Sequence, residues 1–227
     1  VPNLAILAAL PREIAALVRG TRPDADLLRQ GIHLHRLPGS IVVAAGMGSH
    51  RVTLALESAL RAAPEITTVI SAGLAGACTA RLSPGAITEA AMIVDAQSGE
   101  RHSAAADGTT LITTHAIASV QEKTRLAATY GADLVDMEAA TIARLATARG
   151  LRFRAIKAIS DAHDFELASL SHFATRHGHF RTGAFALHTA LRPQIWRKTV
   201  HLGRNSNRAL AALTVALKNA IEESALN

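Results

Sequence analysis

Apolar residues in this chain fall into short runs separated by stretches of helical spacing. Leu4–Ala9 is unbroken and long enough for a buried strand. Residues 11–20 (PREIAALVRG) follow, with proline suited to a helix first turn and glycine to its close. His33–Leu37 and Ile41–Ala45 read as a strand pair around Pro38-Gly39, and residues 46–60 start a helix behind two glycines. Thr67–Ala72 is another buried strand, running into the glycine-rich turn GLAGA (73–77). Ala86–Val94 predicts a strand, Ala116–Tyr130 a helix and Asp133–Asp136 a short strand. From Glu138 the positions Ala139, Ile142, Ala143, Leu145 and Ala146 keep helical spacing until Gly150. Residues 152–161 (RFRAIKAISD) make a last long strand, and Arg204–Glu223 an amphipathic helix. Strands alternating with helices predict an α/β sandwich. With no internal repeat or low-complexity tract, residues 1–227 read as one domain.

In such folds ligands gather where strand carboxyl ends meet helix starts. Those ends hold Glu13, Gly46-Met47-Gly48, Gly73–Gly76, Met137-Glu138 and Asp161, so three carboxylates and two glycine turns can converge on one crevice. Each has a plainer reading: a glycine as a turn, Asp136 as a helix cap, Asp161 as a loop acid. The full dinucleotide-binding fingerprint is absent, since GMGSHR (46–51) lacks its third glycine. Asp161 ends a buried strand, and burial there favours the protonated carboxyl, which suits a general acid.

Composition narrows the class. The chain has 227 residues, 49% of them hydrophobic, enough for one large domain. No run approaches the roughly 18 apolar residues of a membrane span, and no secretory leader pattern opens the chain, so cytoplasmic residence is expected. Cys78 stands alone, which excludes an internal disulfide and points to an inert buried thiol. The net charge of +6 resides in residues 167–221, which hold eight Lys or Arg and no acid. A near-neutral body with a basic appendage does not read as a nucleic-acid binder. Five of the seven aromatics lie in the same region, at 165–198. Packing onto its own domain or a dimer partner, a lid over an apolar substrate end, and peripheral contact with an anionic membrane are its readings. His177 and His179 invite a metal, but no acid or cysteine stands near them, so no metal or cofactor is expected.

The motifs, in their order, resemble the nucleoside phosphorylase/nucleosidase superfamily, and within it the methylthioadenosine/S-adenosylhomocysteine nucleosidases. ILAALPREIAAL (6–17) is similar to the family's first strand and glutamate-bearing turn. AAGMGSHRVTLALESAL (44–60) resembles its Gly-x-Gly helix. VDMEAATIARLATARGLRFRAIKAISD (135–161) carries the Met-Glu and Ser-Asp motifs at the family spacing. The resemblance covers about residues 3–165 and the last helix. It implies a single-domain three-layer α/β/α sandwich with a central mixed sheet, phosphorylase/hydrolase-like, with a basic aromatic insertion at about 165–203. It also implies a homodimer or larger homo-oligomer and hydrolysis of the N-glycosidic bond of a purine nucleoside, a 5′-substituted adenosine above all. Glu138 would accept the ribose hydroxyls, Met137 would pack on the sugar, Asp161 would protonate N7 of the purine and Glu13 would activate water. Ser160, Gly73 and Met47 would be further substrate contacts.

The departures from the family pattern bear on the nucleophile. Leu74 stands where a hydroxyl residue usually contacts water or phosphate, Lys157 replaces an arginine and Ala86 an aspartate. The phosphate-binding arginines of the phosphorylases are not all found, with Arg51 and Lys157 as remnants. Hydrolysis is therefore favoured over phosphorolysis, and a binding protein without catalysis is the third reading. The apolar Leu74 also resembles the hopanoid-associated branch, whose substrate would carry a large apolar 5′ group.

Overall fold

The computed structural model describes residues 2–166 and 193–226, with side chains for 2–166 and 203–226. At its centre lies β1 (Leu4–Ala8), parallel to both β3 (Ser40–Ala44) and β4 (Thr68–Ala77). Leu4, Ile6 and Ala8 point to one face, Ala5 and Leu7 to the other, and both faces are buried. That is why the run is apolar throughout rather than alternating. The first face is covered by α1 (Pro11–Ile14), the turns after it and the long C-terminal helix α6 (Pro193–Leu226), which contributes Ala209, Leu213, Leu217 and Ala220. The second is covered by α3 (Ser49–Ala62), through Val52, Ala55, Leu56 and Ala59, and by Ile142 of α5 (Ala139–Thr147). Helices on both faces of a mixed sheet make the expected sandwich.

The sheet has nine strands among the described residues. β2 (His33–Leu37) lies on one edge, antiparallel to β3. On the other side β5 (Ile87–Asp95), β6 (Arg101–Ser103), β7 (Thr109–Thr113) and β8 (Leu134–Asp136) continue it. β9 (Arg152–Asp161) pairs with both β4 and β5. Because β5 pairs β7, β7 pairs β8 and β8 pairs β4, these strands close into a ring. α4 (Val120–Tyr130) packs outside it, burying Leu126 with Cys78, Val94 and Ile112. Burial pushes the Cys78 thiol up to about 12, so it is held as the neutral, unreactive form. Arg154 ties β9 to Glu89 of β5 and Glu223 of α6, and Asn3 hydrogen-bonds Ser224 at the far end of that helix.

Several elements differ from the sequence pattern. GLAGA is not a turn: β4 runs through it to Ala77. The 11–20 helix is only Pro11–Ile14, continued as turns to Gly20. α4 starts at Val120, not Ala116, because the Ser119 hydroxyl accepts the Glu122 N–H and caps it. α6 starts at Pro193, eleven residues before the expected Arg204, and carries Gly203 in its interior at the usual modest helical cost. α2 (Ala25–Arg29), β6 and β7 were not legible as elements. No helix among the described residues is long and apolar enough to cross a membrane. The basic aromatic segment, with its lid, interface, membrane and histidine readings, lies largely outside the described residues.

Candidate active site

Glu13 stands in the short α1, whose proline start turns the chain sharply after β1. Its carboxylate is buried, yet both oxygens are used: Oε2 accepts the Leu10 N–H at 2.7 Å and Oε1 the Leu74 N–H at 3.0 Å. Gly73 makes this approach feasible. Its φ is +142°, and a Cβ there would lie 3.0 Å from Glu13 Oε1.

Asp136 and Glu138 divide the work at the start of α5. Asp136 accepts the Ala139 N–H at 3.1 Å, so the expected capping role is its own. Glu138 makes no cap; its Oε1 reaches across to accept the Gly48 N–H at 2.9 Å, at the start of α3. Behind them, Lys157 Nζ lies 2.8 Å from Asp136 Oδ2 and donates to Ser71 Oγ at 3.0 Å. Thr113 donates to Asp136 Oδ1 at 2.7 Å and accepts the Ala140 N–H at 2.9 Å. Desolvation first, then the neighbouring Asp136 charge, push the Glu138 carboxyl up to about 7, against the pull of Lys157 and the Gly48 N–H.

Asp161 owes its position to an irregular ladder. β4 and β9 run in step from Thr68–Arg152 to Ala75–Ile159, then slip by one residue so that Gly76 faces Asp161. The slip is a bulge at Ser160, a common device for re-aiming a side chain. The carboxylate then lies against Gly76, where a Cβ would sit 3.0 Å from Oδ2. Ser160 Oγ is 2.5 Å from Asp161 Oδ1 and 3.2 Å from the Ala75 carbonyl, and its one proton serves either acceptor in turn. Lys123 of α4 donates to Asp161 Oδ2 in a salt bridge buried on both sides.

Glu13, Glu138 and Asp161 all line a single cavity of about 490 Å³, within the usual range of about 300–1,000 Å³ for small-molecule sites. Met47, Met137 and Ser160 line it too. Gly73 does not; it backs Glu13 instead. Leu10, Leu74, Ile117 and Leu210 give the cavity its apolar walls, with Gly203, Ser206 and Asn207 of α6 along one side. Sequence reasoning missed Lys123. The available signal was a lysine three residues before Leu126, on the buried face of an amphipathic helix. Among the described residues no group of His, Cys, Asp or Glu is placed to hold a metal ion.

A family model described as the phosphorylase superfamily matches residues 90–189, the stretch that carries Met137-Glu138 and Ser160-Asp161. The solved structures agree over nearly the whole chain. The 5′-methylthioadenosine nucleosidase of Arabidopsis thaliana superposes with a TM-score of 0.72 at 16% identity, covering 99% of this chain and 96% of that one. The chain has the fold of that nucleosidase. A Helicobacter pylori 5′-methylthioadenosine/S-adenosylhomocysteine nucleosidase bound to butyl-thio-DADMe-Immucillin-A gives 0.68 at 15%, covering 98% and 99%. The Helicobacter pylori futalosine hydrolase gives 0.61 at 19%, covering 84% and 97%. No curated protein matches the sequence significantly.

Within this fold the two candidate phosphate-binding cations are already engaged. Arg51 turns to the backbone: Nε donates to the Ala45 carbonyl and Nη2 to the Gly31 carbonyl. Lys157 is held by Asp136 and Ser71. Leu74 offers the cavity no hydroxyl, and its N–H is taken by Glu13.

Proposed function

We propose that the protein is an N-glycosidase that hydrolyses a purine nucleoside with an apolar 5′ substituent. The observation that carries this reading is the convergence of Glu13, Glu138 and Asp161 on one cavity of nucleoside scale. As the bond from C1′ to the base nitrogen breaks, its electron pair moves into the purine and positive charge develops on the ribose. Glu138, fixed by the Gly48 N–H, faces the sugar and gains strength as that charge grows. Asp161 hands a proton to the base. Glu13, oriented by two backbone N–H groups, takes the proton of the water that adds to C1′. The apolar walls support the 5′ substituent.

Water is preferred to phosphate because neither Arg51, turned to the Ala45 and Gly31 carbonyls, nor Lys157, buried against Asp136 and Ser71, lines the cavity. The deciding experiment incubates the protein with 5′-methylthioadenosine, adenosine and inosine, with and without phosphate, and identifies the products. Free base and free sugar under both conditions are expected. A sugar 1-phosphate formed only with phosphate replaces hydrolysis by phosphorolysis. Nucleoside bound but recovered unchanged makes this a binding protein.

A further inference from the structure

Lys123 is among the largest fully buried side chains of the molecule, and no step of the hydrolysis above employs it. Its ammonium has three N–H bonds and three acceptors: Asp161 Oδ2, the Ala162 carbonyl at 3.0 Å and the Phe165 carbonyl at 3.3 Å. Among the described residues the other oxygen of Asp161 meets only the Ser160 hydroxyl. Desolvating an ammonium costs several kcal/mol, and a helix surface that needed only filling would carry leucine here. α4 is held to the same segment a second time, since Glu166 Oε2 accepts the Val120 N–H at 3.2 Å. The pair therefore reaches the cavity as one preassembled unit, an ammonium hydrogen-bonded to a carboxylate, with a transferable proton between them.

We infer that Lys123 is the positioning residue that supplies, through Asp161, the proton given to the departing base. The inference rests on the glycosidase reading. When the glycosidic bond breaks and its electron pair enters the purine, the Asp161 carboxyl gives its proton to the base nitrogen. That proton reaches the resting Asp161 carboxylate from the Lys123 ammonium along the existing hydrogen bond, so the transfer ends with Asp161 again a carboxylate and Lys123 a neutral amine. The proton that Glu13 takes from water balances the one Lys123 gives up, and exchange with solvent after product release restores both. Asp161 thus enters the reaction as a carboxylate and works as an acid only by way of its neighbour.

The test compares two leaving groups. An ordinary purine nucleoside needs a proton to leave; an N7-methylated purine nucleoside is already cationic and needs none. Lys123→Met keeps the apolar stem and removes the ammonium. It should lower kcat on the ordinary nucleoside by about 10²–10⁴-fold, the scale of general acid catalysis, and leave kcat on the N7-methylated one within a few-fold of wild type. Equal losses on both substrates would mean that Lys123 only fastens residues 161–165, and would overturn the inference. Lys123→Arg supplies a cation that does not give up its proton; it should recover thermal stability without recovering kcat, and full recovery of kcat also overturns it. If Lys123→Met does not fold, Lys123→Gln carries the same comparison. Wild-type protein that releases base from neither substrate defeats the glycosidase reading itself, and this inference with it.

Discussion

Glu138 is a carboxyl that the folded chain holds at a cost. It titrates near 4.5 when unperturbed and near 7 here, mostly through desolvation and the Asp136 charge. Below pH 4.5 it is protonated in folded and unfolded chains alike. As pH rises through 7 the folded protein must carry a charge it disfavours, so the stability gained from the raised value is lost over that window. Glu138→Gln keeps the acceptor for the Gly48 N–H and removes the charge. It should therefore be more stable than wild type at pH 8, by about 3 kcal/mol, with the difference closing by pH 4.5; denaturant melts at the two pH values measure this. Function runs the other way. kcat/KM of the wild type should rise with pH through about 7 and level off about a unit higher, because only the carboxylate answers a cationic sugar. Lys157→Met removes the cation that lowers Glu138 and should move that limb to higher pH, which a shift in the other direction would contradict. Part of this was legible in the sequence. Met137-Glu138 and Ser160-Asp161 stand at strand ends, where cavities form. The partners of Lys123, Lys157 and Arg51 were not, because nothing in a one-dimensional pattern says which carbonyl or carboxylate a long cation will meet after folding.

At the scale of elements, β4 carries the most information per residue. Gly73 and Gly76 were read as turn glycines, and β4 instead continues through both, because a strand lacking Cβ atoms leaves room for two carboxylates against its backbone. The two sites differ in strain. Gly76 has no left-handed backbone requirement, so Gly76→Ala should fold but crowd Asp161 and Lys123, lowering kcat about 10²-fold or more with a smaller loss of melting temperature than Gly73→Ala. Gly73→Ala meets both Glu13 and an unfavourable φ, and should lose stability as well as activity. Paired thermal melts and turnover assays separate the two outcomes. The strands and helices with strong periodicity were legible; α2, β6 and β7 were too short for their patterns to rise above the surrounding loops.

Over the whole molecule, α6 joins two tasks. One stretch buries Ala209, Leu213, Leu217 and Ala220 against the sheet, and Gly203, Ser206, Asn207 and Leu210 complete the cavity wall. Leu213→Ala should cost about 2–5 kcal/mol, as measured by denaturant unfolding. Substrate affinity should fall with it under conditions where α6 separates from the sheet. The sequence foretold a C-terminal amphipathic helix but not its added turns, since Gly203 looks like a boundary until Pro193 is seen to open the same helix.

The double pairing of β9 governs how the protein breathes. A strand at the margin of a sheet frays from its open side, but residues 156–158 have β4 on one flank and β5 on the other. Each of their amides is bonded across one seam, and neither seam can part without opening the ring of strands, an event close to global unfolding. In deuterated buffer the backbone around Lys157 should exchange among the slowest in the molecule, long after β2 and β6 at the margins have taken up label. The floor beneath the three carboxylates would then stay closed on the timescale of many turnovers, and traffic into the cavity would fall to α6 and residues 114–118, the walls that belong to no ring.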